Sequence, residues 1–216
     1  MTDGQVIMAE QHEKCFIAVA GNIGAGKSTL TRMLSGALGW KPFYEAAAEN
    51  PYLADFYADM RRWSFHSQVF YLGKRLEHHR LLIDHPDSVV QDRTVYEDAE
   101  IFAANLGEQG LMAERDYEAY RSLYRAVSSF LPPPSIIVYL QASTQTLLKR
   151  IKRRGNDYEK GIAPEYVEQL NRLYERWIGS WTACPVLTIH VDGMDFQHNL
   201  VDLASVVHEI KDAVRL

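Results

Sequence analysis

Short apolar runs, each the length of a buried strand, alternate along the chain with longer stretches whose apolar positions return every third or fourth residue. CFIAVA (15–20), SVVQD (88–92), SIIVYL (135–140) and VLTIHV (186–191) are strand candidates, and PFYE (42–45) is a weaker one. The breakers HPD and LPPP stand before the 88–92 and 135–140 runs and close off any preceding helix. Tyr166, Val167, Leu170, Leu173, Tyr174, Trp177, Ile178 and Trp181 fall on one helical stripe. Strands apolar on both faces and separated by helices predict an α/β fold with a parallel sheet covered on both sides. No repeat, low-complexity run or linker interrupts the alternation. Residues 15–216 therefore read as a single domain behind a loosely ordered polar tail, 1–14.

Composition narrows the partners more than the fold. A chain of 216 residues suffices for one substantial core and is short for two. Its net charge of -5 offers no long-range attraction to nucleic acid or to an anionic membrane. Cys15 and Cys184 lie far apart without ligand-type neighbours, which fits reduced thiols and a cytoplasmic setting. The N-terminal stretch carries acids where a signal peptide would be basic. No apolar run approaches the ~20 residues of a membrane span.

The chemistry begins directly after the first strand. Gly21, Asn22, Ile23, Gly24, Ala25, Gly26, Lys27 and Ser28, followed by Thr29, match G-x-x-x-x-G-K-[ST] between a strand and the helix KSTLTRMLSGAL. Glycines let successive N–H groups turn inward onto phosphate oxygens, and the new helix adds its positive end. Lys27 is placed to bridge terminal phosphates and Ser28 to bind Mg²⁺, which implies a nucleoside triphosphate such as ATP. Asp92 and Arg93 emerge at the carboxyl end of a strand, where open α/β sheets bind ligands. They read either as a magnesium acid with an acceptor-side arginine or as a structural ion pair, and the strand-end position favours the first. Lys149, Arg150, Lys152, Arg153 and Arg154 crowd the end of a helix that Gly155 should terminate. Such cations either relieve the helix dipole or form a lid that closes on the triphosphate, and their number exceeds what capping needs.

Five motifs in order, GNIGAGKST, YEAAAENPYL, FYADMRRWSFHSQVFYLGKR, QDRTVYEDAEIFA and RIKRRGNDYEKGI, resemble the deoxyribonucleoside kinase family, in particular its bacterial deoxyadenosine/deoxyguanosine/deoxycytidine type. The resemblance implies a P-loop NTPase three-layer sandwich: a five-stranded parallel sheet, helices on both faces and an Arg-rich lid at about 150–161. It implies transfer of a phosphoryl group from Mg-ATP to the 5′-hydroxyl of a deoxynucleoside, for nucleotide salvage. Under it Glu45 matches the general base, Arg93 the arginine that orients the hydroxyl, and Asp92 the magnesium acid. Tyr57 and Glu159 match the pair that holds the sugar 3′-hydroxyl. Gln68 matches the reader of the base edge, and Arg150 and Arg154 match lid arginines. Arg75 and Asp98 occupy positions where an Arg–Asp pair goes with purine acceptance, which favours deoxyadenosine, deoxyguanosine or deoxycytidine over thymidine. Asn156 stands where a third lid arginine is expected, and Ser67 where an aromatic usually precedes the glutamine. Homodimers are usual in the family.

Two other readings share the architecture. A nucleoside monophosphate kinase such as thymidylate kinase needs cations near the end of the second strand, and EAAAENPYLADFY supplies none. A non-catalytic P-loop nucleotide-binding protein would leave Glu45, Gln68 and Glu159 without roles. On the helix expected over 62–83, Gln68, Tyr71 and Arg75 share one face at i, i+3 and i+7. His78 and His79, being adjacent, point apart and read as helix surface. Trp177 and Trp181 read as packing residues. The aromatics of 117–130 read as core or as a dimer face.

Overall fold

The protein is described from a computed structural model that covers residues 14–44, 49–156, 159, 161–196 and 198–214. In chain order it runs β1 (Phe16–Gly21), α1 (Lys27–Leu38), β2 (Lys41–Phe43), α2 (Leu53–Ala58), α3 (Met60–Asp84) and β3 (Val89–Asp92). A single turn, α4 (Val95–Glu97), leads through a π-helical segment (Asp98–Ala103) into α5 (Ala104–Glu108). There follow α6 (Glu114–Ser128), β4 (Ile136–Gln141), α7 (Thr144–Arg154), α8 (Pro164–Ser180), β5 (Val186–His190) and α9 (Leu200–Val214). The strands form one parallel sheet in the order β2-β3-β1-β4-β5, so the α/β expectation holds.

Central β1 is buried along its whole length because both of its faces are covered. Phe16, Ala18 and Ala20 pack toward α3, α6 and α8 through Leu72, Tyr120 and Tyr174. Cys15, Ile17 and Val19 pack on the other side with Leu30, Leu147 and Val206 of α1, α7 and α9. Burying each such aliphatic side chain stabilises the fold by about 1.5–3 kcal/mol. The register pairs Val19 with Asp92 and Gly21 with Leu140, so the phosphate-motif turn and the end of β3 open onto the same edge.

Several expected boundaries shift. β2 spans Lys41–Phe43 rather than 42–45, and its bonding to β3 ends where Phe43 pairs with Gln91. Glu45 itself lies in 45–48, outside the described residues, as does the tail 1–13. Lys14, assigned to that tail, is instead anchored: its Nζ donates to the carbonyls of Leu82, Ile83 and His85 at 2.7, 2.7 and 2.6 Å. These are carbonyls that the end of α3 leaves unpaired, and a cation there also suits the helix dipole. The histidine expectation is corrected for one member. His79 is buried, edge-on to Phe16 at 5.8 Å, while His78 is half-buried. Trp177 is buried and packs on the half-buried Trp181, and within α6 Tyr120 and Tyr124 are core while Leu123 is exposed. Cys15 and Cys184 are free thiols.

Candidate active site

The loop between β1 and α1 curls because Gly24 and Gly26 take left-handed backbone angles, φ 83 and 104. At Gly24 a Cβ would also stand 3.0 Å from the Leu147 carbonyl oxygen, so this turn and α7 lie in contact only with glycine there. Ile23, Gly24, Gly26, Lys27, Ser28 and Thr29 line a cavity of roughly 620 Å³, within the usual range for a ligand site. Gly21, Asn22 and Ala25 shape the loop from behind. Asn22 Nδ2 donates to Val167 O and Asn171 Oδ1 of α8, at 2.9 and 2.7 Å, and Lys27 Nζ donates to Asn22 O at 3.1 Å. The N-terminus of α1 therefore faces the cavity as a ready anion site.

Ser28 and Asp92 meet at the base of that loop, with Ser28 Oγ donating to Asp92 Oδ2. Asp92 is buried, and its Oδ1 has no hydrogen-bond partner among the described residues. A buried carboxylate oxygen left unpaired is costly, and a hydroxyl beside it completes the oxygen set a hard divalent cation uses together with phosphates. The donor chemistry fits such an ion.

Arg93 follows at φ 63, and it is the one non-glycine residue with a positive φ among those described. Its backbone N–H donates to Val19 O at 3.1 Å, and its guanidinium carbon lies 4.4 Å over the Phe102 ring. A left-handed arginine costs about 1–2 kcal/mol, a strain that persists at sites where the surroundings fix it. Gln68, Tyr57, Asp98 and Glu159 line the same cavity. Asp98 and Phe102 both reach it from the π-helical segment, a distortion found mostly at functional sites. Arg75 does not line the cavity; it stands behind Asp98, its Nε donating to Asp98 Oδ2 at 2.6 Å, both side chains almost fully buried.

The lid arginines come out differently. Arg150 is tied to backbone, its Nη1 to Ala25 O at 3.0 Å and its Nη2 to Val191 O and Met194 O at 2.8 and 2.9 Å. It braces the phosphate loop against the turn after β5 and also lines the cavity. Arg154 Nε donates to Glu159 Oε2 at 3.0 Å, so one expected lid residue pairs with one expected sugar residue. Of the lid expected over 150–161, residues 157, 158 and 160 lie outside the described residues. α7 ends at Gly155, φ 72, as its composition requires.

Sequence reasoning missed Glu97, Tyr174, Tyr166, Phe102 and the Met194–Asp195–Phe196 stretch. Tyr166, Phe102 and that stretch line the cavity, whereas Glu97 and Tyr174 are buried beneath it. The spacing Thr94-x-x-Glu97 carried a signal, since it forms a capping box: Glu97 N donates to Thr94 Oγ1 and Thr94 N to Glu97 Oε2. Burial pushes the Glu97 carboxyl up, against the opposing pull of Arg93, then Lys27, then the Tyr174 and Gly21 hydrogen bonds. Burial likewise holds the Tyr174 phenol well above its ordinary value.

A parallel sheet with this loop, a ligand-sized cavity at its mouth and an acid beside the loop serine define a P-loop protein built for phosphoryl transfer. The chain matches the family description "Deoxynucleoside kinase" over residues 17–215. It is 38% identical to a deoxyadenosine/deoxycytidine kinase of Bacillus subtilis, across 94% of this chain and 98% of that one. It is 35% identical to a deoxyguanosine kinase of the same organism, across 92% and 97%. Its backbone superposes on deoxyadenosine kinase of M. mycoides, solved with dCMP and dCDP bound, with a TM-score of 0.81 at 30% identity, covering 91% and 99% of the two chains. The chain belongs to the deoxynucleoside kinase family. It is a phosphotransferase that acts on deoxynucleosides, and the monophosphate kinase and non-catalytic readings are set aside. No helix among the described residues is long and apolar enough to cross a membrane.

Proposed function

We propose that the protein transfers the γ-phosphoryl group of ATP to the 5′-hydroxyl of deoxyadenosine, deoxyguanosine or deoxycytidine, with thymidine disfavoured. The observation that carries this reading is Gln68. Its Oε1 is buried without a hydrogen-bond partner among the described residues, although the side chain lines the cavity. An unpaired carboxamide oxygen on a side chain that lines the cavity suits a nucleobase donor, an amino group of adenine, guanine or cytosine or the N3–H of thymine alike. Gln68 therefore supports base binding, while the bias against thymidine rests on the Arg75–Asp98 pair. Asp98, held by Arg75, adds a second acceptor on the same wall.

In this reading the loop N–H groups and Lys27 hold the phosphates, and Ser28 and Asp92 hold Mg²⁺, which neutralises phosphate charge when bound. Glu45 takes the hydroxyl proton and Arg93 orients that hydroxyl. Tyr57 and Glu159 hold the 3′-hydroxyl, so Glu159 shares or exchanges its Arg154 partner when the sugar enters. Arg150 and Arg154 meet the charge that develops on the transferring group. Because such transition states are loose, positioning and charge outweigh base strength. The working molecule is a cytoplasmic homodimer.

The test is kcat/KM for each of the four deoxynucleosides with Mg-ATP, for wild type and Glu45→Gln. The expected order places thymidine last, and Glu45→Gln lowers kcat by roughly 10²–10⁴-fold. Wild type without turnover on any of the four, or Glu45→Gln with full activity, would overturn the reading.

A further inference from the structure

Glu97 is fully buried beneath the cavity, and only its Oε2 is taken up by the capping box with Thr94. Its Oε1 accepts the Gly21 N–H at 3.2 Å, at the first residue of the phosphate loop. The same oxygen lies 2.8 Å from Tyr174 Oη, which is also 2.8 Å from Gly21 O, and one of these acceptors takes the single phenol proton. Tyr174 Oη in turn accepts from Arg93 Nη1 at 3.3 Å, and Arg93 Nη1 stands 3.9 Å from Glu97 Oε1. Gly21 ends β1, Arg93 follows β3, Glu97 lies on α4 and Tyr174 on α8. Four separate elements therefore meet in one buried hydrogen-bonded cluster. Its polar atoms engage the Gly21 peptide on one side and the Arg93 guanidinium on the other.

We infer that Glu97 and Tyr174 are positioning residues for phosphoryl transfer, locking the start of the phosphate loop to the Arg93 guanidinium so that donor and acceptor keep one relative geometry. The capping box accounts for Glu97 Oε2 but not for the contacts of Oε1 or of the Tyr174 hydroxyl. Tyr174 lies on the apolar stripe of α8, where a phenylalanine would fill the same volume, and a buried carboxylate is costlier than an apolar side chain at that spot. Without the phenol, Arg93 Nη1 loses its 3.3 Å bond to Tyr174 and keeps the longer 3.9 Å approach to Glu97 and the Phe102 stacking, which fix its guanidinium less tightly. The loop N–H groups that face the cavity are unchanged, so donor affinity should be spared while the aligned geometry is lost. The inference rests on the acceptor-side role proposed for Arg93.

The experiment is a double-mutant cycle on the full-length enzyme with Tyr174→Phe, Arg93→Lys and the combination, measuring kcat and both KM values. The expected result is that Tyr174→Phe lowers kcat roughly 10- to 100-fold while the ATP KM moves less than about threefold. In the Arg93→Lys background the same change should cost less than about threefold, because the partner it acts through is already displaced. Undiminished kcat in Tyr174→Phe, or a full multiplicative loss in the double variant, would overturn the inference. If Tyr174→Phe does not fold by circular dichroism, Glu97→Gln enters the same cycle under the same criteria. If neither folds, the cluster is a folding element and the inference falls. Wild type inactive on every deoxynucleoside sinks the functional reading itself, whereas active wild type with multiplicative variants sinks only the positioning role.

Discussion

Arg75 and Asp98 show what a buried pair near a ligand wall demands. Only Asp98 lines the cavity, so Arg75 acts on a ligand there through Asp98, whose carboxylate it fixes at 2.6 Å. Arg75→Met alone leaves a buried carboxylate without that guanidinium, and breaking one side of such a pair costs about 3–5 kcal/mol. Adding Asp98→Ala removes the stranded charge and should recover most of that loss. Urea unfolding of the single and double variants checks this, and a single variant as stable as wild type would refute it. The double variant should also lose kcat/KM on deoxyadenosine relative to thymidine. These residues were legible because a charge pair in a known motif carries meaning at fixed positions. Glu97 and Tyr174 were not. A buried acid reads in sequence like a solvated one, and a tyrosine on an apolar stripe reads like core.

α3 is where burial was least legible, for a physical reason. Its buried face carries Ser64, Ser67, Gln68, Arg75 and His79 beside Leu72 and Leu82, since one side of the helix lines the site and another packs on β1. The buried positions recur at helical spacing, yet their polarity erases the apolar stripe that marks a helix face, as α8 still shows. So the helix was legible while its inward histidine was not. Burial lowers the His79 pKa, with a smaller opposing effect from its hydrogen bond to the Pro132 backbone. A histidine kept neutral by the fold gives stability that is present above the unfolded value, about 6.5, and lost as pH falls through the folded one. Wild type should therefore lose more unfolding free energy than His79→Gln between about pH 7 and pH 5, by at most about 1.4 kcal/mol per pH unit. Urea titrations of both proteins at the two pH values measure it, and parallel losses would remove His79 as the cause. His78, also lowered chiefly by burial, remains in both proteins and cancels.

At the scale of the molecule, the parallel sheet was legible from runs apolar on both faces, but the order β2-β3-β1-β4-β5 was not, because no strand names its neighbour. That order brings the β1 loop, the end of β3, α3, α7 and the turn after β5 around one cavity, so a ligand there touches pieces distant in sequence. Such a ligand binds the folded chain alone, and its binding energy becomes stability of the whole. At 100 times its dissociation constant Mg-ATP should add about 2.7 kcal/mol. For a chain of this size each 1 kcal/mol raises Tm by about 2–4 °C, so the shift should be roughly 5–11 °C. Chelation with EDTA should remove most of the ATP shift, because Ser28 and Asp92 then face phosphate without the intervening cation and Asp92 repels it. A neutral deoxynucleoside bound on the Gln68 side should stabilise equally with or without EDTA. Differential scanning calorimetry with each ligand, before and after chelation, separates the two ends of the cavity. An ATP shift indifferent to EDTA would take the cation away from Asp92, and a deoxynucleoside shift abolished by EDTA would merge the two sites into one.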